Sequence, residues 1–363
     1  MQETYDPDGA DVAYTEWPAR TEALRVEALA EIHAEQGILG ILQLATRGET
    51  SEVIGELLIK AVVPPAGHLE LVGELIAEMI KGELPESGRV LAGVLGELEV
   101  KGEVNSYLET ASQGLLAEEQ VRVFQAAPFQ QSTWQMVDAA GLTERYWGNV
   151  EPRWIRGDVE RSRIAAEGLL AAHRPRAAFA AVSLLIDQLE PQLLARLLRG
   201  IVESNGEQGR YRVESHDIER AFEVIEPAPE MSVEEKAALE LLHLETLSGA
   251  GRGRGISHLE KYLSLHPEFF AEVVSWVYRR DDRASEASVD QLSEKQRESR
   301  GNIGYSLLSA INRVPGVEKA DDEGDEHLAK WVRAARESNS QLGRRDVGDH
   351  CIGVLLCQVC NRS

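Results

Sequence analysis

Cysteine is missing from the first 350 positions of this chain of 363 residues, and all three copies, Cys351, Cys357 and Cys360, stand in the last 13. An odd number gathered at one end cannot make a disulfide framework, so reduced thiols in a cytoplasmic setting are expected. Basic charge is scarce: 38 Lys and Arg face 61 Asp and Glu, a formal charge of −23. A chain so acidic repels nucleic-acid phosphates and anionic headgroups at long range, which disfavours nucleic acid and membrane as partners. Long apolar runs are absent, the stretch from Ala177 to Ile186 falling well short of the ~20 residues that span a bilayer. The opening MQETYDPDGADVAYTEW has neither a basic n-region nor an apolar core, so no secretory signal is expected. Gly and Pro, 31 and 13 residues, follow no short period, which excludes collagen-like and low-complexity classes. Runs alternating with period two are missing too, and with them the signal for a sheet.

What remains is helical periodicity on a chain that is 43% apolar, ample for a core. From Met231 to Leu247, Val233, Ala237, Ala238, Leu241, Leu242 and Leu244 recur mostly at three- and four-residue steps, which predicts one buried helix side. Ser232 with Glu235, and Ser257 with Glu260, predict capping boxes at two successive helix starts. The same spacing predicts helices over 20–35, 36–47, 50–63, 67–82, 87–100, 103–126 with a break, 129–149, 158–173, 175–189, 191–204 and 215–225. Three more are expected over 303–313, 325–340 and 346–359. Prolines at many junctions, Pro64, Pro65, Pro175 and Pro191 among them, read as punctuation, because proline fits only the first turn of a helix.

The class is therefore all-α, and short turns between helices suggest antiparallel hairpins stacked as an α-solenoid with no significant sheet. An N-terminal helical array over 1–230 is expected to continue through a helical unit over 231–280. A polar linker or exposed helix over 281–302, too poor in apolar residues to hold a core, then leads to a small C-terminal helical segment over 303–363. The change of composition at the tail suggests a truncated or altered C-terminus.

Within the array, the run Leu259-Glu-Lys-Tyr-Leu-Ser-Leu-His-Pro267, preceded by a helix over 236–249 and a glycine-rich turn, resembles the second helix and closing proline of a tetratricopeptide repeat. The match covers about one 34-residue unit. Leu242 takes the place of that family's first-helix leucine, whereas His243 stands where a small residue is usual and Gly255 where an alanine is usual. Gly37 to Val63 is similar to HEAT-type hairpins. These resemblances imply a degenerate helical repeat of the kind found in large bacterial multidomain proteins, sensor and defence proteins included.

Candidate chemistry is thin. Cys357-Gln-Val-Cys360 has the gap that lets two thiolates reach one Zn²⁺, with His350 and Cys351 as further ligands, but the apolar residues between them fit a core helix in which cysteine is a small hydrophobe. His-Leu-Glu occurs at His68, His243 and His258 and, with that pair, mimics a zinc-deaminase signature, yet Leu356 replaces the required proline and no sheet is expected. Gly249-Ala-Gly-Arg-Gly-Arg-Gly255 could cradle a phosphate, but it follows no strand and fits no nucleotide-binding pattern. Walker, HExxH and GxSxG motifs are absent. No catalytic, cofactor-binding or metal-ligating residue is assigned.

Aromatic residues make up only 6% of the chain, and several gather between Trp134 and Trp154 beside Arg145, Arg153 and Arg156. Since aromatic and arginine side chains are enriched in interface hot spots, Trp147, Arg153, Trp154 and Arg156 are the expected partner contacts, against the plainer reading of a local core overlaid by arginine stems. The function expected is a non-enzymatic helical-repeat scaffold that binds a protein partner. An enzyme of unrecognised type stands second, and a zinc module in the tail third.

Overall fold

The computed structural model describes residues 17–48, 50–204, 210–247 and 256–266, and the single positions 269, 302 and 333. Among the described residues every regular element is helical, as the periodicity predicts. The expected linker over 281–302, the C-terminal segment over 303–363, the glycine-rich turn and the cysteine tail fall, but for single positions, outside the described residues. The described chain divides between Arg153 and Trp154 into two compact units, a boundary that the sequence did not mark within 1–230.

The first unit opens with α1 (Trp17–Ala45), which Gly37 breaks by adopting φ 63° and ψ −156°, near the point where two helices were expected to abut. An L side chain at that φ would be strained. Next come α2 (Ser51–Leu57), a π-helical turn over Leu58–Val62, a 3-10 turn over Pro65–Gly67, α3 (His68–Lys81) and α4 (Ser87–Val100). The unit is completed by α5 (Val104–Ala111), α6 (Ala117–Ala126), α7 (Gln131–Ala139) and α8 (Thr143–Asn149). Its core is aliphatic, with Ile41, Leu42, Leu58, Leu75, Leu91 and Leu95 fully or almost fully buried. Each such side chain gains about 1.5–3 kcal/mol on leaving water.

α4 lies against α2 with no side chains between the backbones at the crossing. A Cβ on Gly55 would stand 2.1 Å from the Val90 carbonyl oxygen, and one on Gly93 would stand 1.9 Å from that of Glu52. A single helix was expected over 129–149, yet it is split. Gly141, at φ 68°, stops α7 as its N–H reaches Asp138 O (2.9 Å) while the Leu142 N–H reaches Val137 O (3.0 Å). These two bonds are the Schellman closure of a helix end, and the left-handed residue they need is cheapest as glycine.

The second unit holds α9 (Val159–Ala171), α10 (Pro175–Val182) with a 3-10 continuation over Ser183–Gln188, and α11 (Pro191–Glu203). It continues through α12 (Ser215–Ile225), α13 (Val233–Leu242), the short α14 (Leu244–Leu247) and α15 (Ser257–Leu265). Pro175 and Pro191 each open a helix, where the missing N–H costs nothing. α10 is buried on nearly every side through Ala177, Ala178, Phe179, Ala181 and Val182. It was expected to run to Leu189, but the chain tightens at Ser183, and Leu185, at φ −124° and ψ 15°, leaves helical geometry.

Candidate functional site

The aromatic residues singled out by the sequence divide into a buried group and an exposed one. In the first unit α7 supplies Trp134, α8 supplies Tyr146 and Trp147, and the turn before α7 supplies Phe129. Their rings pack on one another, with centroids 5.1 Å apart for Phe129 and Trp134, 5.3 Å for Trp134 and Trp147, and 5.2 Å for Tyr146 and Trp147. Trp147, expected to meet a partner, is only 6% exposed and serves this cluster. Arg145 and Arg153 lie at its margin in ion pairs, Arg145 with Glu118 (2.8 Å) and Arg153 with Glu52 (3.8 Å). Both pairs are solvated, and such pairs contribute little.

Tyr146 Oη and Trp134 Nε1 are buried without a protein hydrogen-bond partner. Burial pushes the Tyr146 phenol far above its usual 10. The neighbouring Trp134 side chain and the Arg153 charge oppose that rise, although the indole N–H is not in hydrogen-bond geometry.

In the second unit the chain enters through residues without regular secondary structure. Ile155 is fully buried and its N–H donates to Ala181 O of α10 (3.4 Å), which anchors the segment. Trp154 is 67% exposed and Arg156 is exposed as well. Isolated exposed apolar residues are ordinary, but an indole held out on a pinned backbone beside a guanidinium has the composition of an interface anchor.

The sequence missed a polar stripe on α13. Lys236, Glu240 and His243 recur at four- and three-residue steps and are all buried, whereas Ala238 and Leu242, assigned to the buried side, are exposed, Leu242 by 44%. The Lys236 ammonium donates to Glu226 O (2.8 Å) and Ala228 O (2.6 Å) beyond the end of α12. Glu240 accepts from the His258 N–H (3.2 Å) and the Leu259 N–H (2.6 Å) at the start of α15, and contacts His258 Nδ1 (3.2 Å). Burial raises the Glu240 carboxyl above its usual 4.5 despite these bonds. His243 Nε2 donates to Leu198 O of α11 (3.0 Å). The signal available was the spacing itself, three polar residues sharing one stripe of a helix that must pack.

Glu240 also corrects an expected cap. The Ser232–Glu235 box forms, Glu235 N–H to Ser232 Oγ (3.2 Å) and Ser232 N–H to Glu235 Oε2 (2.9 Å), but Ser257 and Glu260 make none, because Ser257 is already the first helical residue of α15. The Glu240 carboxylate supplies the acceptors instead.

The capacity for chemistry is limited by the same bonds. Glu240 and His258 stand within hydrogen-bond reach, as an acid–base pair requires, yet both carboxylate oxygens already serve backbone amides. Ser51 Oγ donates to Glu86 Oε2 (2.5 Å), tying the starts of α2 and α4 together. His68, at the start of α3, is buried with its Nε2 bound to Val63 O (3.0 Å). Among the described residues no three His, Cys, Asp or Glu stand close enough to hold a metal ion, and no helix is long and apolar enough to cross a membrane. No protein-family model, curated protein or solved structure matches the chain.

Proposed function

We propose that the chain is a non-enzymatic helical-repeat scaffold, a degenerate tetratricopeptide- or HEAT-like array that binds a protein partner in the cytoplasm, as part of a bacterial sensor or defence protein. One observation carries the choice of contact. Trp154 holds its indole two-thirds exposed, beside exposed Arg156, on a backbone fixed by the buried Ile155. A rigid aromatic with an adjacent arginine pays little entropy on docking and gives both apolar area and charge-assisted hydrogen bonds. The net charge of −23 supports a protein rather than a nucleic acid as the partner.

The test is affinity capture from the native host with the intact chain and with Trp154→Ala and Arg156→Ala variants, read by mass spectrometry. A stoichiometric protein is expected on the intact chain and is expected to weaken on both variants, by roughly 2 kcal/mol if Trp154 is a hot spot. A partner held equally by all three would move the contact elsewhere. Capture of nucleic acid in its place would overturn the reading.

A further inference from the structure

The three buried polar groups of α13 bind three different neighbours: Lys236 the residues after α12, Glu240 the start of α15, and His243 the middle of α11. Of the three side-chain types, only an imidazole has an ordinary titration range that lies at neutrality. We propose that the buried ring of His243, seated on Leu198, is a pH-sensitive latch, closed while the ring is neutral, that holds α13 against α11 and releases it when acid charges the buried side chain.

The geometry fixes the proton. A carbonyl oxygen can only accept, so Nε2 carries the hydrogen and Nδ1 is the basic nitrogen of the neutral ring. A proton taken up at Nδ1 puts a full charge on a side chain that is buried and packed edge-on to Phe222 of α12, with centroids 6.0 Å apart. Burial accordingly holds the imidazole below its usual 6.5, with the Leu198 carbonyl pulling the other way.

Among the described residues, the groups around it do not supply a free counter-charge. On its own helix stand Lys236, a second cation, and Glu240, whose oxygens are engaged by the amides and ring of α15. From α15 the ring of His258 faces Glu240, and Glu260 and Lys261 are exposed. From α11 Arg199 acts on Glu235, while α12 offers Phe222 and leaves Glu223 exposed. α14 turns Leu244 and Leu247 inward.

A ring whose folded value is lowered gives stability that is whole above 6.5 and is lost as pH falls toward the folded value. Each pH unit in that window multiplies the local opening constant by up to about ten. Glu240, raised by burial, acts in the opposite sense, so only a variant can isolate the histidine.

Hydrogen–deuterium exchange of the full chain, corrected for the intrinsic pH dependence, compares wild type with His243→Gln at about pH 7.5 and about pH 5.5. Glutamine keeps an N–H for Leu198 and does not titrate. The wild-type to variant ratio of opening over 233–247 should rise by up to about tenfold at the lower pH. An unchanged ratio overturns the latch. His258→Gln should leave the wild-type acid step in place, and its loss there would reassign the step to His258. If His243→Gln does not fold, NMR titration of the wild-type ring decides the matter: a midpoint below 6.5 supports the latch, and one at or above 6.5 overturns it.

Discussion

Two glycines three positions apart on α4 meet opposite surroundings. Gly93 faces the backbone of α2, where a methyl group has no room, whereas a Cβ at Gly96 would meet nothing within 4 Å. Alanine gains about 0.5–1 kcal/mol over glycine inside a helix, and that gain should appear intact in Gly96→Ala. In Gly93→Ala it is outweighed, since the atom in the way is backbone and overpacking a fixed crossing costs about 1–3 kcal/mol or more. Urea unfolding should therefore show Gly96→Ala above wild type and Gly93→Ala below it. Equal midpoints for the two variants would mean that α2 and α4 can move apart. The sequence gives no hint of this difference: both are glycines inside an apolar helix, and only the partner helix tells them apart. Trp147 and Trp154 pose the same difficulty, since the same residue type in one aromatic-rich stretch is buried in the first and exposed in the second.

At the scale of elements, α3 and α4 lie within a residue of the expected spans because their boundary signals are local. α3 carries an apolar stripe and stops at Gly82, whose φ of 75° only glycine adopts cheaply. α15 is the counterexample, since the acceptors at its start come from Glu240, about twenty positions earlier. No local pattern can register such a competitor. Burial favours the neutral form of Glu240, so its contribution to stability is whole below the usual 4.5 and is lost as pH rises through the raised folded value. Against Glu240→Gln, which cannot titrate, wild type should lose relative stability as pH rises above the usual 4.5, measured by urea unfolding at each pH. A difference that grows in favour of wild type as pH rises would show that the two amide bonds outweigh desolvation.

Across the whole molecule the excess of acid dominates. With 61 carboxylates and 38 basic side chains, the folded chain concentrates like charge. Ion pairs such as those of Arg163 with Glu160 and Arg220 with Asp187 keep at least one partner in water: Arg163 and Glu160 are both solvated, and Asp187 is exposed where it meets the more buried Arg220. Raising the salt concentration from about 0.01 M to about 0.15 M shortens the screening length from about 30 Å to about 8 Å and should relieve more repulsion than it weakens attraction. The melting temperature should rise by a few degrees over that range, and a fall would mean that the pairs matter more than the net charge. All-α architecture was legible at this scale because helical spacing repeats along the chain. The division at Arg153 was not, because no run of glycine, serine or charge marks it.

The outward indole of Trp154 also gives the molecule an optical signal. Trp134 and Trp147, sealed in their ring cluster, should emit at short wavelength and resist acrylamide, whereas Trp154 should emit to the red and be quenched readily. A difference spectrum against Trp154→Phe isolates that emission, so the arrival of whatever covers this side chain could be followed in solution without a label.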